Sequence, residues 1–408
     1  MMSLESASGA IAEEIRRQEF VEVFAHHDAD GIAAGSILCH AMLRAGIRFR
    51  LRVRHGIGSA DLAGDSAYLL CDMGAGMEDL REDAMVVDHH VPLFGGEFHA
   101  NPRLDGIDGD SELSAAGTAY IVAQKIGDNR DLAGLVICGI IGDGQEIAGR
   151  NLEIFNEAIA NGIINPGRGV TLPGRDNTEP WFMATSPYLH GISGQEQHVK
   201  ELVAQAQDQK KGPDALRLDM LLSGVVLDAA PATAAGSLQR IYGDTFHLQR
   251  EVIEDGHTLT AIIDACGKTG HGDIGATLCM RSSHYIGEAW EIARRHRSNV
   301  ISAAGTAKPA ENTAGVYEVS DVSVISDVAD ILSRDRDPSS PVLVYARSGV
   351  GCRLSARAPG GRELGPLVRD LARSCGGTGG GHIRRAGATI PCDRIAMFAK
   401  GWQEALAS

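Results

Sequence analysis

FAHHDADGIAAG, residues 24–35, sets His26, His27, Asp28 and Asp30 within five positions. The apolar run FVEVF (20–24) leads into the cluster, and GIAAGSILCHAMLRAG (31–46) leaves it with helical spacing and a stop at Gly46. A strand that ends in acid and imidazole and then turns into a helix has the form of the ligand-binding edge of a parallel sheet.

The pattern recurs downstream. IRFRLRVR (47–54) alternates with period two, while AYLLCD (67–72) and AMVVD (84–88) are short apolar runs. LSAAGTAYIVAQKIG and DLAGLVICGIIGD have helical spacing. Strands alternating with helices predict a parallel α/β sheet over the first 145 residues. Around 165–215 the chain becomes turn-rich (INPGRGVTLPGRDNTEPW) and then polar and helical, which predicts a connecting region. A second α/β section begins near LTAIIDACGK and runs to the end, with strands at PVLVYAR (341–347) and CRLSARA (352–358). SAAGTAKPAENTAG (302–315) reads as a loop, and no internal repeat is present. The expected domains are 1–165, 166–250 as connector, and 251–408.

Three strands end alike. FVEVFA runs into His26, Asp28 and Asp30, AYLLC into Asp72, and AMVV into Asp88, His89 and His90. CGIIGDGQE (138–146) adds Asp143 at the end of an apolar helix. Taken singly, an Asp after a strand is often a helix cap, and His89 with His90 could be a surface pair. Together, the parallel sheet delivers these groups to one edge, where unpaired carboxylates would repel and raise one another's pKa values. Divalent cations remove that cost, and mixed Asp and His ligation with a bridging carboxylate suits two Mn²⁺ or Mg²⁺ ions, with imidazole favouring Mn²⁺. Such a pair supports in-line displacement at phosphorus. His27 would point the other way along an extended stretch.

Charge agrees with that division. The chain carries −15, yet residues 341–400 hold ten Lys or Arg against three Asp or Glu. An acidic front suits cations and a basic tail suits phosphates. GGTGGGHIRRAGATI (376–390) packs six glycines around His382, a composition that lets backbone N–H groups approach an anion or simply forms a structural loop. A dinucleotide fingerprint is excluded there, because the preceding GPLVRDLARS (365–374) reads as a helix where a strand is required. Ser355 and Arg357 on the nearby strand could face the same pocket. The eight cysteines are scattered with no CxxC, which predicts reduced thiols and a cytoplasmic chain. No apolar run reaches the roughly 18 residues of a membrane span.

HxDxDG at 26–31, Asp72, Asp88-His89-His90 and Asp143 resemble the four motifs of the DHH phosphoesterase superfamily, and GGGH at 379–382 resembles its DHHA1 substrate-binding domain. ATSPYLHGISG and ANPRLDGIDGDSELSAAGTAY are similar to archaeal RecJ-like single-strand-specific exonucleases. The resemblance implies an N-terminal parallel-sheet DHH domain, a partly helical connector and a smaller C-terminal α/β DHHA1-like domain. It implies a two-metal, Mn²⁺-preferring site with His26, Asp28, Asp30, Asp72, His89 and Asp143 as ligands and Asp72 bridging. Asp88 would orient its neighbouring His, and His90 would stand near the scissile phosphate. Ser355, Arg357, Gly380, Gly381 and His382 would hold a substrate phosphate. The implied substrate is single-stranded DNA or RNA, in replication or repair, with a GINS-type complex as partner. The other activity in view is a phosphodiesterase for short oligonucleotides, cyclic dinucleotides or nucleotide phosphates. One departure stands out: the usual GGGHxxAAG reads GGGHIRRAG, with Arg385 where the family has a small residue.

Overall fold

The computed structural model describes residues 3–58, 60–77, 79–207, 216–310, 313–349, 351–359 and 363–407. In chain order the first elements are α1 (Leu4–Arg17), β1 (Phe20–His26), α2 (Ala29–Arg44), β2 (Arg48–Arg54), β3 (Ala67–Cys71), β4 (Met85–Val87) and β5 (His99–Ala100). Then come α3 (Ala115–Ile126), α4 (Ala133–Asp143), α5 (Gly149–Ala160), β6 (Ile164–Val170), α6 (Glu179–Phe182), α7 (Glu196–Gln205), α8 (Leu218–Ala229) and α9 (Ala235–Gln239). β7 (Tyr242–Leu248), α10 (Gly256–Lys268), α11 (Gly272–Cys279) and α12 (Ile286–Thr306) follow. The chain ends with β8 (Val316–Glu318), α13 (Ile325–Asp330), β9 (Val342–Ser348), β10 (Gly351–Arg357), α14 (Leu364–Ser374), β11 (Thr378–Gly381), β12 (Arg385–Pro391) and α15 (Ile395–Ala407).

Contacts divide the chain into two units, one of residues 1–169 with 244–293, the other of 170–243 with 294–408. In the first unit β2-β1-β3-β4-β5 form an all-parallel sheet, as the alternating pattern predicted. Strand order reverses at β1, between β2 on one side and β3 on the other, so the carboxyl ends of β1 and β3 make a topological switch point. β1 is buried over Val21–Ala25 because both sheet faces are covered. α2 is apolar around nearly its whole circumference, with Ala29–Met42 buried, because sheet and helices enclose it. α1, which the sequence reading left unassigned, is amphipathic and caps on Ser3, whose hydroxyl accepts from the Ser6 N–H at 3.3 Å.

The expected domain border at 251 falls inside the first unit. Leu259, Ile262, Ile263 and Cys266 of α10 and Leu278 and Cys279 of α11 belong to the same core as β1, α2 and α4. Polar links add to this: His40 Nε2 donates to the Cys279 carbonyl at 3.0 Å, and Arg281 donates to Asp131 (2.5 Å) and Glu251 (3.1 Å). The run reads equally well as the start of a new domain or as a helix of the old one, and burial decides.

In the second unit the sheet runs β11-β12-β10-β9-β8, with antiparallel pairs except for the parallel β8–β9. PVLVYAR and CRLSARA become β9 and β10, and 365–374 is helical as read. The supposed loop at 302–315 begins as the last turns of α12. INPGRGV, read as turns, forms β6, paired with β7. Against the expectation of reduced thiols, Cys352 and Cys392 are disulfide-bonded, while the other six cysteines are free and buried. Among the described residues no helix is long and apolar enough to cross a membrane.

Candidate functional site

The three strand-end clusters and Asp143 meet at the switch point of the first unit. β1 ends on His26, and Asp28 caps α2 by accepting from the Gly31 N–H at 3.0 Å. His26 Nδ1 lies 2.8 Å from Asp28 Oδ2 and 3.2 Å from Asp72 Oδ2. Asp30, one residue into α2, is fully buried and accepts from the N–H groups of Ala115 and Ala116 at 2.8 Å each, at the N-terminus of α3. Gly139 of α4 makes room for that carboxylate, since a Cβ there would collide with Asp30 Oδ1.

Asp72 is no helix cap: no helix starts there, and its backbone sits at φ 59°, a region disfavoured for a side chain. Among the described residues its buried Oδ1 accepts no hydrogen bond, and it lies 3.2 Å from His89 Nε2 and 3.6 Å from His90 Nδ1. His89 is buried, so it is not part of a surface pair. Its Nδ1 is 2.6 Å from the Gly109 carbonyl, an acceptor only, which fixes the proton on Nδ1 and turns Nε2 to Asp72, Asp143 Oδ2 (3.3 Å) and Asp30 Oδ2 (3.8 Å). Asp88 faces the other way: Oδ1 accepts from the N–H of His89 (2.7 Å) and His90 (3.1 Å) and from His90 Nδ1 (2.7 Å), and Oδ2 accepts from Ala75 N–H (2.9 Å).

Burial and crowding decide the protonation of the cluster. Burial, then Asp143 and Asp72, push Asp30 well above the usual carboxylate range, and burial chiefly brings Asp143 up to about 6 against the pull of His89. For His26 and His89, burial alone would lower the pKa, but Asp28 beside the first and Asp72, Asp143 and Asp30 beside the second hold both well above the usual imidazole value. Burial also works against Asp88, yet His90 keeps it ionised far below the ordinary range. The cluster thus sets raised carboxylates, Asp30 and Asp143, beside raised imidazoles, His26 and His89.

Within the first unit, three triads bring ligand atoms within 4.8 Å of one another: His26, Asp28 and Asp72; Asp30, Asp72 and His89; and Asp72, Asp88 and His90. Asp72 belongs to all three. Backbone N–H groups engage both oxygens of Asp88 in the third triad and both of Asp30 in the second, so Asp72 is the carboxylate common to all three that keeps a buried oxygen open. The buried oxygens of Asp72 and Asp143 that accept no hydrogen bond among the described residues fit occupancy by a cation.

Sequence reading missed the groups behind the triads. Asn101 donates to the carbonyl of His90 at 2.9 Å, and Arg103 Nε donates to the carbonyl of His89 at 2.7 Å. Gln145 donates to the Gly109 carbonyl (2.9 Å) and is itself held by Asn151 (2.8 Å). The one sequence signal is the polar break Asn101-Pro102-Arg103 straight after β5. His27, doubtful as a ligand, presents Nδ1 to His26 Nε2 at 3.0 Å and packs against His55 at a tilt, with ring centroids 3.9 Å apart.

In the second unit, Ser355 and Arg357 lie on β10 and Gly380 and Gly381 on β11, with β12 between them. The glycine-rich run is a strand rather than a loop. Gly381 takes φ 146°, and Gly365 of α14 packs so closely that a Cβ would collide with the Gly381 carbonyl oxygen. His382 donates its N–H to the Arg385 carbonyl at 2.7 Å. Arg357 is buried and engaged: it donates to Asp330 (2.5 Å), Ser355 Oγ (2.8 Å), Ser326 Oγ (2.9 Å) and the Ala356 carbonyl (3.0 Å).

Strand order, the acid–imidazole edge and the C-terminal sheet make a RecJ-like fold that ends in a DHHA1-type domain. Residues 313–408 match the DHHA1 domain family. Over 98% of its length the chain is similar, at 27% identity, to an uncharacterized protein of Methanocaldococcus jannaschii, of which 96% is covered. Among solved structures it is similar to RecJ in complex with Mn²⁺ from Thermus thermophilus (TM-score 0.60, 16% identity, 99% of this chain and 54% of that one). It is also similar to exonuclease RecJ bound to manganese (0.60, 16%, 100% and 95%) and to CDC45 from Entamoeba histolytica (0.61, 10%, 99% and 99%). The chain spans about half the length of the Thermus RecJ.

Proposed function

We propose that the protein is a metal-dependent phosphodiesterase that degrades single-stranded nucleic acid from an end. The observation that carries this reading is Asp72, shared between the triad of His26 and Asp28 and that of Asp30 and His89, with a buried oxygen that accepts no hydrogen bond among the described residues. Two divalent ions, with Mn²⁺ preferred, would be held by these residues together with Asp143. When bound they would supply an activated water and neutralise charge at the phosphoryl oxygens. The RecJ structures of the same fold that contain Mn²⁺ support the reading.

The chain's own groups have separable tasks. Asp88 stays ionised and holds His90 by Nδ1, so the other ring nitrogen turns away from Asp88, toward the position of a scissile phosphate, as a hydrogen-bond or proton donor. Burial would lower the His90 pKa, but Asp88 outweighs it and raises the ring above the usual imidazole value. Asn101 and Arg103 fix the backbone of that turn. In the second unit we assign phosphate contact to His382, Gly380, Gly381 and Ser355, with Arg357 shaping the strand surface. We further propose a role in replication or repair with a GINS-type partner, which co-precipitation from cells would test.

The activity test is digestion of end-labelled single-stranded DNA and RNA of several lengths with Mn²⁺, read at nucleotide resolution. A ladder of successive one-nucleotide products, absent with excess EDTA, is expected. Internal cuts alone, or turnover only of mononucleotide or cyclic substrates, would replace the exonuclease reading with another phosphodiesterase.

A further inference from the structure

β2 is the edge strand of the first sheet, and its sequence RFRLRVR puts Arg48, Arg50, Arg52 and Arg54 on one face. Phe49, Leu51 and Val53 point the other way, against the core. The strand pairs with β1 in register, and Arg54 stands opposite His26, the first residue of the candidate metal centre. The four guanidinium groups therefore form a line that runs along the sheet edge and ends at the site. Alternate residues on a strand lie about 6.8 Å apart, of the same order as successive phosphates in a nucleic-acid strand.

The line is only partly neutralised. Arg50 and Arg52 share the single carboxylate of Glu22, and Arg48 is 3.6 Å from Glu19, itself almost fully exposed. Arg52 also lies over the Phe24 ring, 5.8 Å from its centroid. Side-chain exposure rises along the strand away from the site, from 31% at Arg52 to 57% at Arg50 and 75% at Arg48. Charge on an edge strand does guard against edge-to-edge pairing, but that task is met by any charge, often Lys. Four arginines in a row, aligned on the metal-centre residue of a chain with net charge −15, call for an anionic partner. Guanidinium suits phosphate by geometry as well as charge.

We propose that the β2 arginines are a phosphate track that guides the backbone of a single-stranded polynucleotide to the His26 end of the site. The proposal rests on the functional reading above and adds the path its substrate takes on this unit. On that path, affinity grows with strand length, because each added phosphate meets another arginine.

The test uses the full chain with Arg48→Gln and Arg50→Gln combined, since Arg52 still pairs Glu22 in that variant. Anisotropy of a labelled oligo-dT 20-mer and of a dT dinucleotide, with Ca²⁺ and varied salt, gives affinity and its salt slope. Each lost phosphate contact on a single strand removes about 0.7 from the log–log slope, or about fivefold in affinity at 0.1 M salt. The double variant should therefore bind the 20-mer roughly 25-fold more weakly, with a slope smaller by about 1.4, and bind the dinucleotide within about twofold of wild type. Arg48→Gln alone should give about fivefold and 0.7, which keeps the test valid if the double variant folds poorly. Unchanged 20-mer affinity and slope, in a chain whose wild type degrades single strands, would overturn the track alone. A wild type that neither binds nor degrades single strands would overturn the functional reading and the track with it.

Discussion

His89 gives its Nδ1 proton to the carbonyl of Gly109 at 2.6 Å, and this one bond aims Nε2 at three carboxylates, those of Asp72, Asp143 and Asp30. Those carboxylates hold the His89 pKa well above the usual imidazole value despite burial. Asp30 and Asp143 are likewise raised, Asp143 to about 6. A cation held at these groups would compete with their protons. The apparent Mn²⁺ affinity should therefore rise as pH passes upward through about 6, and calorimetry in buffers of different ionisation heat should show proton release over that range. Affinity flat or falling over that range would contradict the arrangement.

Asp72→Asn should leave the fold intact and abolish turnover. The side chain keeps its volume but loses the charge shared by two triads, so Mn²⁺ stoichiometry should fall as well. Relieving a carboxylate crowded by neighbours should leave the melting temperature unchanged or higher. Near-normal hydrolysis by a folded variant would remove Asp72 from the site.

Asn101→Ala and Arg103→Gln should act through the His89–His90 backbone that they hold. Loss of such supporting bonds typically costs about 10–100-fold in metal affinity or activity. The loss should appear mainly in kcat, with KM for a short single strand little changed, and Arg103→Lys should restore part of it. A pure drop in melting temperature with normal kcat would make both residues structural only.

Asp330 and Arg357 pair inside the second unit. Burial alone would raise the Asp330 pKa, but Arg357, Arg385 and Arg334 hold it far below the ordinary carboxylate range. A depressed folded-state pKa contributes stability above the unfolded value of about 4 and loses it as pH falls through the folded value. Arg357→Ala should cost about 3 kcal/mol at pH 7, the usual order for breaking a buried pair. Asp330→Asn should also destabilise at pH 7, by an amount that shrinks toward pH 2. Denaturant melts at both pH values check this, and equal losses at both would mean that the pair carries no charge-dependent stability.

The strand ends were legible because each breaks an apolar run with Asp or His, and a parallel sheet has to bring such breaks to one edge. Asp143 was legible as the polar end of an apolar helix. The supporting groups were not. Gly109, Asn101, Arg103, Gln145 and Asn151 act through backbone carbonyls and each other, contacts that leave no periodicity in sequence. Arg357 looked like an open phosphate ligand because Asp330, its partner, lies 27 residues away on another element. α10 misled for a related reason: an apolar helix carries no mark of which core it will fill.

The split composition of the first unit has a consequence for its synthesis. Its core needs α10 and α11, yet residues 170–243, 74 in number, emerge between the two halves. At about 5–20 residues per second, that is a wait of roughly 4–15 s during which the nascent acid–imidazole edge lacks the helices that pack against α2 and α4. A ribosome stalled before residue 244, or a fragment cut at 169, would thus expose an unfinished apolar face, a natural place for a chaperone to attend.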